Sequence, residues 1–229
     1  MMQQDVAALK IQGFFKTYRL KKQQVLQEVI DSSSSKQLLE ALDLRFQCMR
    51  AVAAAKLPLG KPINDKAQIE KVLVHVRELA NEKEIKNVEM VANLFLQNIT
   101  LAENIQSPYY DVIWKCHYGQ RDFKLLVNNA YVQLRQIVST KKLPIACNYE
   151  KTDFTSEEVL LLARDIIQHA SQLIIEALGN SDLYEYYQNS QHINSTLRQM
   201  LANYMTPSAL IKCTGEIDSL AGNIKRCTL

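Results

Sequence analysis

The stretch LLEALDLRFQCMRAVAAAK (residues 38–56), continued by LPLGKP (57–62), INDKAQIEKVL (63–73) and EMVANLFLQNITLAENIQ (89–106), decides the fold. In its first run Leu38, Leu39, Leu42, Phe46, Met49, Val52 and Ala53 recur at three- and four-residue spacing. Val88, just before it, and Val91, Ala92, Phe95, Ile99, Ala102 and Ile105 do the same in the last. That period belongs to helices with one buried face. Four polar residues interrupt it: Arg45, Lys56, Asp65 and Gln106. Arg45 and Lys56 are eleven residues apart, close to three helical turns, so they share a face with backbones about 16 Å apart. Met49 and Val52 lie between them, making an apolar wall with a cation at each end. Two such side chains either converge on a small anion or snorkel out at the edge of the stripe. Asp65 followed by Gln68 is a capping box, which accounts structurally for both residues.

Outward from this stretch the same period continues, and no long run alternates in twos. The chain has 229 residues, 47% of them hydrophobic, with only 6 Gly and 5 Pro. Scarce turn formers favour long helices, and the fold class expected is all-α, a helical bundle. A basic amphipathic helix is expected over 5–30, and the four serines 32–35 read as a flexible joint. Helices follow over 36–56, from Asp65 through AQIEKVLVHVRELANE, and over 85–106, where Gln106 is the last residue. Residues 108–119 read as a loop and short helix around the single Trp114. A helix over 121–142 comes next, then a polar connection. Thr155 with Glu158 starts another helix, and Gly179-Asn180 stops it. Two weaker helical runs, 189–204 and 207–226, close the chain. Three units are expected: 1–31, 36–142 and an extension or diverged second half, 143–229.

Net charge is +3, and the excess is concentrated at the front. Lys10, Lys16, Arg19, Lys21 and Lys22 face Asp5 alone in residues 1–24, leaving the remainder nearly balanced. A nucleic-acid-binding domain spreads its excess over a face of the fold, so nucleic acid is disfavoured as a partner. Five scattered cysteines without a CxxC pair give no disulfide framework, and four histidines without ligand spacing imply no metal. No apolar run is long enough to span a membrane, and the N-terminus lacks the apolar core of a secretory signal. Either the chain is cytoplasmic as written, or a signal has been removed from it, or it leaves its cell by another route.

Residues 11–21, IQGFFKTYRLK, resemble the IQ motif that binds calmodulin. Ile11-Gln12, then Lys16, then Lys21 carry the likeness; Thr17 stands where the motif prefers Gly. A basic amphipathic helix of this kind lays apolar anchors in a groove and cations against acidic lobes, or packs on its own domain. Since calmodulin is eukaryotic, the motif in a bacterial chain implies export into a host cytosol, where the chain acts as an effector.

The pattern Leu-x-x-Arg45-Phe-x-x-Met-x-x-Val-Ala-x-x-Lys56, then Pro62-Ile63-x-Asp65, then Phe95 with Gln106 eleven residues on, resembles the AroQ-type chorismate mutases. The run from Arg45 to Leu73 is most similar to their secreted, gamma subclass, and the resemblance covers residues 36–115. It implies an isomerase that turns chorismate into prephenate by a concerted intramolecular rearrangement, with no cofactor. By resemblance Arg45 grips a carboxylate, and Lys56 sits between a carboxylate and the ether oxygen. Gln106 donates to that oxygen, and Asp65 orients the substrate hydroxyl. Two positions depart from the family: Gln68 stands where an Arg is usual, and Ala102 where Ser or Thr is frequent. A neutral hydrogen bond in place of a charge-assisted one forfeits about 1–2 kcal/mol. Gln68 and Arg135 are the further substrate-binding candidates. The missing cation comes from another helix, Arg121 or preferably Arg135, or from a second subunit of a homodimer. The alternative reading is an interaction protein that keeps the mutase fold and works through the IQ-like helix.

Overall fold

The computed structural model describes residues 33–116, 123–180 and 190–227. All of its regular elements are helices: α1 (Ser33–Gln47), α2 (Met49–Lys56), α3 (Lys66–Glu82), α4 (Val88–Cys116), α5 (Lys124–Lys141), α6 (Ser156–Leu178), α7 (Ser190–Leu201), α8 (Pro207–Lys212) and α9 (Thr214–Cys227). The IQ-like segment and Arg121 lie outside the described residues.

The helix expected over 36–56 is a pair, α1 and α2, joined at Cys48. The Cys48 amide bonds three residues back, to the Arg45 carbonyl at 3.3 Å. That tightening separates two helices that stay nearly continuous, because Val52 N still bonds to Cys48 O at 3.0 Å. The apolar stripe of α1 packs along α6, that of α2 against α4, α5 and α6, and α3 lies on α4. Phe46, Phe95, Leu38, Leu42, Leu94, Leu134, Ile166 and Ile174 are all fully buried where these faces meet. Each such side chain contributes about 1.5–3 kcal/mol by leaving water.

Two expectations are corrected. The serine run is no flexible joint. Ser33 opens α1, Ser34 and Ser35 are buried, and Ser34 Oγ accepts from Asn180 Nδ2 at 3.1 Å. A small residue fits where the start of α1 meets the end of α6, and that tertiary contact overrides the local preference for a loop. Gln106 does not end its helix either: α4 runs on to Cys116 through Pro108. Proline removes a backbone bond from the ladder, but Leu101 and Ile105 before it and Ile113 after it are buried, and α9 packs along this helix. Burial on both sides of Pro108 holds the helix together across the lost bond. α6 shares the hydrophobic core of α1 and α2.

The start of α6 is as expected. Thr155 Oγ1 accepts from Glu158 N, and Glu158 Oε2 accepts from Thr155 N at 2.8 Å, a reciprocal box. At Asp65 only half of such a box forms: its carboxylate accepts from Gln68 N at 3.0 Å. The last expected run, 207–226, divides into α8 and α9 at Cys213.

Candidate active site

A cavity of ≈ 260 Å³ opens between α1–α2, α3, α4 and α6. Arg45, Met49, Val52 and Lys56 form one wall, as their spacing on one face requires. Ile99, Ala102 and Gln106 of α4 face them, and Asp65 and Gln68 come from the start of α3. The structure therefore brings Arg45, Lys56, Asp65, Gln68 and Gln106 to one place. Ala102 lines it as well, offering a methyl group and no donor.

Lys61 reaches the cavity because of how α2 ends. The Lys61 amide bonds to Lys56 O and the Gly60 amide to Leu57 O, both at 3.1 Å. This is the six-to-one and five-to-two pattern of a Schellman close, with Gly60 at φ +60, where a side chain would be strained. The chain turns back over the mouth, and Asn64 Nδ2 ties it to Glu103 of α4 at 3.2 Å.

Among the described residues Arg45 stands out. Its side chain is buried, with 3% of the residue exposed, and its partners are neutral. Nε donates to Asn98 Oδ1 at 2.6 Å and Nη1 to Ser171 Oγ at 2.7 Å. The guanidinium lies 5.4 Å from the Phe95 ring centroid. Among the described residues no carboxylate pairs with it. Burial pushes its pKa down to about 10, which still leaves it charged at neutral pH. A buried cation without a counter-ion is costly, and a bound anion would relieve that cost.

Lys56 is half-buried and donates to Ile63 O at 2.9 Å. Burial lowers its pKa most; Asp65 and Glu103 pull it back up, while Arg164 and Lys61 push it down. Gln106 is buried, its Nε2 3.3 Å from both Met49 Sδ and Ala102 O. Its Oε1 is buried without a partner. A half-turn of the amide exchanges those two ends and presents a donor instead.

Arg135 is not brought to this cavity. It donates to Tyr149 O at 3.3 Å and lies over the Tyr149 ring at 5.3 Å, holding the α5–α6 connection. The cation expected from another helix comes instead from α6, as Arg164. Sequence reading missed Arg164 and Ser171, yet a signal existed: Leu160, Arg164, Ile167 and Ser171 recur at three- and four-residue spacing along one face of α6. Two polar residues in such a stripe are the same kind of mark as Arg45 and Lys56. Four cations, Arg45, Lys56, Lys61 and Arg164, line the cavity against two carboxylates, Asp65 and Glu103. The excess of two positive charges suits a small dianion.

Fold and cavity together give a helical protein with a cavity between its helices whose lining carries more cations than carboxylates. Residues 30–107, about a third of the chain, match the family model of chorismate mutase type II. The chain has that all-α fold with additional C-terminal helices. Searches of curated proteins and of solved structures returned no match. The family match ends at residue 107, before Arg164 and Ser171.

Proposed function

We propose that the cavity is a chorismate mutase active site, converting chorismate to prephenate. The observation that carries this reading is Arg45, buried and charged with only neutral partners, in a cavity with an excess of two positive charges. The reaction breaks the ether C–O bond and forms a C–C bond within one molecule, so no external nucleophile or proton transfer is required. What it needs is a compact pose of a flexible dicarboxylate and charge stabilisation at the ether oxygen. Arg45 and Arg164 are suited to the two carboxylates, since guanidinium matches carboxylate geometry. Lys56 reaches the ether oxygen once substrate replaces the Ile63 carbonyl as its partner, and Gln106 donates from the opposite wall. Asp65 takes the substrate hydroxyl with the oxygen that does not cap α3. Gln68 offers a neutral contact where a cation would bind more strongly.

The test is prephenate formation from millimolar chorismate by the purified chain, beside Lys56→Ala. Turnover lost by a factor of about a hundred or more in the variant is the expected result. Turnover no faster than the uncatalysed reaction in the parent chain refutes the proposal.

The likeness of the cavity-forming stretch to the secreted, gamma subclass supports placing the domain there. A separate proposal rests on the sequence of residues 11–21: calmodulin binding through Ile11, Gln12, Lys16 and Lys21, in a host cytosol. Equal recovery of calmodulin by the intact chain and by one lacking residues 1–24 would sink it. Should the chain bind calmodulin and turn over no chorismate, it is an interaction protein on a mutase fold.

A further inference from the structure

Arg45 has five N–H groups, and the structure accounts for two of them, on Asn98 of α4 and Ser171 of α6. We propose that Asn98 and Ser171 are positioning residues: they aim Arg45 at the cavity while leaving its charge unneutralised for a ligand carboxylate. The inference rests on reading the cavity as a dianion site, and it adds α6 to that site.

Both partners have their orientation set. The Ser171 hydroxyl donates to Ile167 O, one turn back, at 2.7 Å, so a lone pair is what it turns to Arg45. Asn98 offers its oxygen to Nε, and as a result its Nδ2 is buried without a partner. An unpaired buried donor is a penalty. Aspartate is nearly the same shape, has no such donor and would pair with the guanidinium more strongly. On structural grounds alone a carboxylate suits position 98 at least as well as the amide. It would, however, take up the charge that a ligand needs. Three N–H groups, two on Nη2 and one on Nη1, remain for that ligand, enough for a two-pronged carboxylate contact.

Asn98→Asp separates positioning from mere structural support. The expected result is a thermal midpoint at or above the parent's, with KM for chorismate raised more than about tenfold. Kd for prephenate, measured by calorimetry, should rise by a similar factor. Ser171→Ala should raise KM several-fold, and Ser171→Thr, which restores the hydroxyl, should recover it. These serine variants carry the test if the aspartate variant does not fold. Parent-like KM and Kd in folded Asn98→Asp, or in Ser171→Ala, overturn the positioning role and leave the mutase proposal standing. A parent that binds prephenate but turns over no chorismate overturns the mutase proposal, and the Kd comparison still decides the positioning role. A parent that does neither overturns both.

Discussion

Replacing Arg164 with Ala removes one of the four cations of the cavity without opening the core. Arg164 is exposed, so folding stability should change by less than about 0.5 kcal/mol. A charged hydrogen bond to a carboxylate is worth about 1.5–3 kcal/mol when shielded from water. Exposure of Arg164 at the rim discounts that to about 1–2 kcal/mol. At 1.36 kcal/mol per tenfold, kcat/KM for chorismate should fall by a factor of about 5–30, mostly through KM. A second effect has a definite sign. Arg164 is one of the like charges that depress the Lys56 pKa. Its removal makes the Lys56 ammonium easier to keep, so the alkaline loss of kcat/KM should move to higher pH. The assay is a pH series of initial rates at low ionic strength, with parent and variant side by side. A variant with parent-like kcat/KM and an unmoved alkaline limb would refute the assignment of Arg164 to the ligand and leave it a surface cation. Added salt should narrow the gap between the two proteins, because an exposed charge is screened.

Gln68→Arg restores a cation at the start of α3, and kcat/KM should rise up to about tenfold, read from the same assay; a fall would mean that the ligand keeps away from that wall. Parent kcat/KM should stay level through neutral pH, since Gln106 does not titrate. It should then decline as pH rises through a Lys56 pKa that burial holds below the ordinary lysine value, the protonated form being the active one. A decline on the acid side alone, near pH 6, would point to a different donor. A chain ended after Lys142 loses α6, exposing the face of α1 that holds Leu38, Leu42 and Arg45. It should show neither a cooperative thermal transition nor dispersed amide resonances, and a well-folded product would contradict the shared core.

Helices and site were legible in the sequence to different depths. The stripe from Leu38 to Ala53 and the spacing of Arg45 and Lys56 depend on the helical period alone, so both are readable from order along the chain. The Thr155–Glu158 box is equally local. Helix ends were less legible where distant burial opposed local preference. Pro108 ought to stop α4, and the serine run ought to break a helix, but packing by α9 and the Ser34–Asn180 contact decide otherwise. The same holds for Arg135 and Arg164. Both stand on amphipathic helices, and only the way α5 and α6 pack sends one to Tyr149 and the other to the cavity.

By itself the sequence determined that the chain is helical, which faces of its helices are apolar, and that Arg45 and Lys56 share one of those faces. Those are consequences of period and spacing, which act within a few turns of chain. The tertiary structure alone decided that Arg45 is buried among neutral partners, that α6 closes the cavity, and that Arg164 rather than Arg135 supplies its outer cation. Ser171 meets Arg45 across 126 residues, a separation at which no local rule acts and only the shared burial of two helices sets the contact.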